Sequence, residues 1–196
     1  MDSWEGLKRE CAECRACSLC EGRHNLVFGV GNENADLMLI GEGPGEQEDL
    51  QGLPFVGPAG KLLDNMLEMI DLDRSLVYIA NIVKCRPPFN RVPTEEEAEA
   101  CRIHLRMQTF LVKPKVIVLL GATAAKNLLD PNIRITRDRG RWTERKGIWM
   151  MPTYHPSALL RDESKKKDAW TDMQRLREKL QELGLYTDLY SDLQQR

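Results

Sequence analysis

The sequence predicts an α/β fold with a parallel, doubly wound sheet. Three observations predict it. Four short apolar runs are separated by segments with helical periodicity. Each run ends at or near Gly, Asn or Pro. Strand and helix alternate along the chain, which favours parallel pairing with helices on both faces.

The elements follow in order. "ADLMLIG" (35–41) is the first run, and its lack of polar alternation suits a strand buried on both sides. "GKLLDNMLEMIDL" (60–72) places Leu62, Leu63, Met66, Leu67 and Ile70 on one helical stripe. "LVYIANIV" (76–83) is the second strand. "TEEEAEACRIHLRMQTFLVK" (94–113) begins with Thr94 and has Glu97 three residues later, a capping box opening a long helix. "KVIVLLG" (115–121) is the third strand and "ATAAKNLL" (122–129) the helix after it. "IWMMPTY" (148–154) is the fourth strand, and "DAWTDMQRLREKLQEL" (168–183) the closing helix. No repeat or low-complexity linker interrupts this order, so residues 1–196 read as one domain, with 186–196 as a frayed tail.

The chain has 28 Lys and Arg against 30 Asp and Glu, a formal charge of −2. That balance does not advertise nucleic acid, yet one basic face on a neutral protein suffices for it. No stretch approaches the roughly 18 apolar residues of a membrane helix, and the N-terminus lacks a signal-like apolar run. A cytoplasmic protein without a membrane partner is expected, and disulfides are rare there. The six cysteines (11, 14, 17, 20, 85 and 101) therefore read first as metal or cluster ligands.

In parallel α/β sheets, ligands bind at the carboxyl ends of the strands. After the first strand comes "GEGPGEQED" (41–49). Its glycines permit a tight turn, but it lacks the Gly-Lys-Ser/Thr of a phosphate loop. Its acids, Glu42, Glu46, Glu48 and Asp49, would repel a nucleotide phosphate, so a flat polar ligand fits better; the plain alternative is a solvated acidic connection. The second strand carries Asn81 and runs into "KCRPPFNR". A buried Asn offers donors and an acceptor for the edge of a pyrimidine ring; otherwise Asn81 is a strand-end cap and Asn90 a turn residue. His155 follows the last strand and precedes Pro156, a place for an active-site group or for a structural histidine. His104 reads as surface or packing. "RDESKKKD" (161–168) reads as a solvated loop whose lysines suit a phosphate backbone.

Taken together, "CRAC…EGR…VFG", "GEGPGEQED", "FVGPAGKLLD", "NIVKCRPPFNR", a Cys in the next helix and "HPSALLR" resemble the family 4 uracil-DNA glycosylases over residues 10–185. The resemblance implies a three-layer α/β/α sandwich around a four-stranded parallel sheet. It implies a monofunctional enzyme that removes uracil from single- or double-stranded DNA in base-excision repair, working as a monomer. It also implies a [4Fe–4S] cluster on Cys14, Cys17, Cys85 and Cys101. Cys11 and Cys20 are extra to that pattern and leave other Cys-x-x-Cys registers open. A zinc site on the same positions is chemically possible.

The resemblance further implies that Phe55 stacks on uracil, that Asn81 reads its O4/N3 edge, and that the backbone of Glu42 and Gly43 touches the base. Glu48 is the candidate wall against the thymine methyl. His155 donates to O2. The first motif lacks the Asp that family 1 enzymes use to position water, which leaves Glu42, Glu48 and Asn90 as candidates. Leu159, Leu160 and Arg161 form a wedge into DNA, with Arg91 on the same surface. A competing reading is a uracil-DNA capture protein of the same fold with little turnover.

Overall fold

The computed structural model describes residues 3–187 and 189. Its helices are α1 (Trp4–Glu13), α2 (Leu19–Gly22), α3 (Glu46–Gln51), α4 (Pro58–Glu68), α5 (Glu95–Val112), α6 (Ala122–Leu128), α7 (Ile135–Asp138), α8 (Pro156–Arg161) and α9 (Lys166–Glu182). The strands are β1 (Val30–Gly31), β2 (Leu37–Gly41), β3 (Tyr78–Asn81), β4 (Val116–Leu120), β5 (Thr143–Arg145) and β6 (Ile148–Thr153), in the order β1-β3-β2-β4-β6-β5.

The four expected strands form the parallel centre, β3-β2-β4-β6, with Leu39 paired to both Ile79 and Val118 and Val118 to Met151. The strict four-stranded expectation needs extension. β1 and β5 add antiparallel edges to β3 and β6. They are two and three residues long and carry no buried residue, so no apolar run announces them.

Every residue of β2 and β4 is buried, and the side chains alternate between two cores. Leu37, Leu39, Val116, Val118 and Leu120 face α4 and α9, where they meet Leu63, Leu67, Met173 and Leu176. Met38, Ile40, Ile117 and Leu119 face α5 and α6, meeting Ala98, Leu105, Ala124 and Ala125. Each face thus removes a continuous apolar layer from water, the arrangement of a three-layer sandwich.

The capping box of α5 is formed as the spacing predicts: the Thr94 hydroxyl accepts from the Glu97 N–H, and the Glu97 carboxylate accepts from the Thr94 N–H. Several expectations change. α1, α3 and α8 are too short, or too polar on their exposed faces, to stand out by periodicity. Residues 161–168 are not a loop, because 163–165 form a 3₁₀ turn leading into α9. Of the two readings of His104, surface or packing, its burial favours packing. Tyr186, the first residue of the expected tail, is itself held, accepting from the Leu37 N–H at 3.2 Å and donating to the Leu76 carbonyl at 2.9 Å. The rest of that tail, 188 and 190–196, lies outside the described residues.

Candidate active site

Because the central strands are parallel, their carboxyl ends share one edge of the sheet. There Gly41, Asn81, Leu120 and the β6–α8 junction surround a cavity of about 440 Å³. It is lined by Glu42, Gly43, Glu48, Phe55, Asn81, Asn90, Arg91, Gly121, His155 and Arg161, among others. These come from segments spread along the chain from Glu42 to Arg161.

Asn81 ends β3 and is 2 % exposed. Its Oδ1 is buried and has no hydrogen-bond partner among the described residues. An unpaired buried acceptor costs free energy comparable to a lost hydrogen bond, and this one lines an open cavity. Gly41 stands beside it on β2. A Cβ on Gly41 would lie 2.5 Å from Asn81 Oδ1 and 2.6 Å from Phe55 Cζ, so only glycine lets the amide and the ring converge.

Phe55 has φ 54°, uncommon for a bulky residue. Arg74 holds it there, donating to the carbonyls of Pro54 at 3.1 Å and of Phe55, and pairing with Asp64 at 2.5 Å. Sequence reasoning missed Arg74, since an Arg in a short connection carries no motif. The Phe55 ring stacks on that of His155, with centroids 5.5 Å apart and planes at 29°.

His155 caps the N-terminus of α8. Its Nδ1 accepts from the Ser157 N–H at 3.1 Å and lies 2.8 Å from Ser157 Oγ. An Nδ1 that accepts a backbone N–H carries no proton, so the neutral ring holds its proton on Nε2. Burial pushes the imidazole pKa down to about 4, helped by the Arg161 cation and opposed by Glu48. At neutral pH the site therefore presents an uncharged N–H donor.

The acids are more constrained than their sequence suggested. The Glu48 carboxylate accepts from the N–H groups of Gly45 (3.1 Å), Val56 (2.9 Å) and Gly57 (2.9 Å), fastening α3 to the Phe55 turn. Its anion sits at the cavity wall with its oxygens already engaged. Glu42 receives a hydrogen bond from Thr123. Asn90 Oδ1 accepts from Arg86 Nε at 2.8 Å, and its amide N–H₂ has no acceptor among the described residues. Thr123 is a further member that no motif reveals, and Arg86 lies in "KCRPPFNR" without having been singled out.

The proposed wedge divides. Leu159 is 1 % exposed and packs in the α4/α9 core, so it is not a DNA-inserting residue: on the short helix α8 it faces inward while its neighbour faces out. Leu160 is 47 % exposed and Arg161 is exposed. Arg91 lines the cavity but forks onto Glu97 at 2.7 and 2.8 Å, which fixes its direction.

The second centre is the cysteine cluster. All six cysteines are free thiols, and all six line one pocket with Arg23, Lys84 and His104. Cys11 and Cys20 thus share the space with the other four. Among the described residues, no three His, Cys, Asp or Glu side chains converge on a point suited to a single metal ion; the thiols ring a pocket instead.

Burial pushes Cys11 up to about 12 and Cys101 up to about 11, and it raises Cys17 and Cys85 as well. Arg23 Nη1 donates to Cys85 Sγ at 3.2 Å. Lys84, wholly buried, donates to the Asn81 carbonyl at 2.9 Å and to Gln108 Oε1 at 2.5 Å. Both ring nitrogens of His104 are buried without a partner among the described residues. Soft sulfur donors, nearby cations and an orphaned imidazole fit an anionic iron–thiolate group, which would supply acceptors and displace the thiol protons to solvent on binding.

The sequence model of the uracil DNA glycosylase superfamily matches residues 28–179. Type-4 uracil-DNA glycosylases of Sulfurisphaera tokodaii and Archaeoglobus fulgidus are each 43 % identical to this chain over 91 % of its length, covering 85 % and 94 % of the relatives. That of Thermotoga maritima is 47 % identical over 78 % of this chain and 80 % of its own.

Proposed function

The chain belongs to the uracil DNA glycosylase superfamily, among its type-4 enzymes, and we propose that it excises uracil from DNA by hydrolysing the N-glycosidic bond. The observation that carries this reading is the buried, unpartnered Asn81 Oδ1, set in a cavity beside a donor-committed His155. The enzyme flips the nucleotide into the cavity, at a cost of a few kcal/mol in stacking and pairing. Asn81 Oδ1 accepts the uracil N3–H and its Nδ2 donates to O4. Cytosine, with an unprotonated N3 and an amino group, meets both with the wrong partner. Phe55 packs against the base, the Glu42–Gly43 backbone meets its edge, and the Glu48 side chain stands where a thymine methyl would go.

As the bond breaks, negative charge gathers on uracil O2 and positive charge on the sugar. The neutral His155 Nε2–H donates to O2, a contribution of roughly 3–4 kcal/mol for an oxyanion donor. The fixed Glu48 anion stabilises the sugar cation, while Glu42 and the Asn90 amide orient water. Water adds its oxygen to C1′ and gives up one proton, and the departing uracil anion takes up one from solvent, leaving free uracil and an abasic site. Leu160 fills the vacated stack and Arg161 meets a phosphate.

Cys14, Cys17, Cys85 and Cys101 would hold a [4Fe–4S] cluster. When bound, it supplies a cross-link between the N-terminal segment, the loop after β3 and helix α5, and takes no part in bond cleavage. Incubation with a uracil-containing oligonucleotide tests the activity. Multiple turnovers support it, whereas one stable adduct per chain would make this a capture protein instead.

A further inference from the structure

We propose that Phe89 is a base-stacking platform at the rim of the uracil pocket, taking a base next to the flipped uracil on the same strand. This rests on the glycosylase reading above. Phe89 is 99 % exposed, the most exposed large apolar side chain among the described residues. Its position is held against backbone preference: Phe89 and Asn90 have φ 54° and 55°, two successive non-glycine residues in the left-handed region. Such residues persist only where surrounding structure fixes them.

Here the fixing groups are visible. The Asn90 N–H donates to the Pro87 carbonyl and the Arg91 N–H to the Pro88 carbonyl, both at 3.1 Å, and Arg86 Nε holds Asn90 Oδ1. Two prolines precede the turn and restrict its entry. An apolar ring presented whole to water by a braced turn gains nothing within the fold. On both sides of it, Pro87 and Asn90 line the cavity, so the ring stands beside the path of the DNA strand. The chemistry that suits a bare aromatic face there is a nucleobase, and stacking of this kind is tolerant of sequence. Leu160 belongs to the other rim segment, 155–161. The two have separate tasks: Leu160 fills the gap in a duplex, and Phe89 steadies the strand that carries uracil.

Single-turnover cleavage and equilibrium binding by the intact protein, on single-stranded and duplex uracil oligonucleotides, test the assignment. Phe89→Ala should lose about 5- to 100-fold in kcat/KM and affinity on both substrates, the range of one stacked base, with the rate at saturation little changed. Phe89→Trp should restore the loss and quench 2-aminopurine placed beside the uracil. The inference is overturned if Phe89→Ala stays within about twofold of wild type, if its loss is confined to duplex, or if Phe89→Trp is as impaired as Phe89→Ala. Absence of turnover in the wild type would remove the glycosylase reading alone, because the binding comparison still decides the role of Phe89.

Discussion

Lowering the pH should leave uracil excision intact far below the ordinary histidine range. His155 acts as a neutral Nε2–H donor because Nδ1 is committed to the Ser157 N–H, and protonation would break that bond. Burial, with Arg161 adding repulsion, moves its pKa from 6.5 to about 4. That displacement corresponds to roughly 3 kcal/mol resisting protonation. The single-turnover rate should therefore stay level from neutral pH down and fall by half only near pH 4. The stability consequence has the same origin. The unfolded chain takes up this proton near pH 6.5 and the folded chain only near 4, so the unfolded state binds more protons between those values. Stability is then fully present above pH 6.5, declines as pH falls through the window, and levels off below about 4, by up to roughly 3 kcal/mol for this group. Comparing wild type with His155→Gln in thermal melts across that range isolates the term, since the variant lacks it. Arg161→Gln should raise the acidic midpoint of the rate by removing the repelling cation. An activity midpoint near 6.5, with no difference between wild type and His155→Gln melts, would refute both the burial argument and the donor assignment.

Other expectations follow from the same geometry. His155→Ala should slow single-turnover cleavage by about 10²–10³-fold while uracil-DNA affinity barely moves, because the donor acts mainly in the transition state. Asn81→Asp should lose most uracil cleavage, since an ionised carboxylate repels O4, and should gain weak release of cytosine detectable by mass spectrometry of the freed base. Leu159→Ala should cost about 2–5 kcal/mol in denaturant melts as a core truncation. Leu160→Ala should stay within about 0.5 kcal/mol of wild type in stability and lose activity mainly on duplex. Elemental analysis should find about four irons per chain; Cys14→Ala, Cys17→Ala, Cys85→Ala and Cys101→Ala should lower that iron and the melting temperature, and Cys11→Ala and Cys20→Ala should keep both. One zinc in place of iron would sink the cluster assignment, and iron lost in Cys20→Ala but kept in Cys17→Ala would move its register.

The sequence by itself determined the parallel centre of the sheet, because strands buried on both faces must be apolar throughout, as in 37–41 and 116–120. It determined the α5 start, a local exchange between Thr94 and Glu97, and it brought Asn81, His155 and the glycine-rich segment to notice as residues following strands. What only the tertiary structure decided depends on contacts distant in sequence or on direction around a helix. Whether Leu159 or Leu160 faces solvent depends on how the short helix α8 sits against the core. That Glu48 is fastened to the Phe55 turn, that Arg74 holds that turn and that Thr123 holds Glu42 follow from side chains meeting across the fold. The edge strands β1 and β5 arise from pairing to a finished neighbour, not from their own composition. The Asn81 oxygen is the clearest case: the residue is plain in the sequence, but that it meets no donor among the described residues follows only from where its neighbours across the fold are placed.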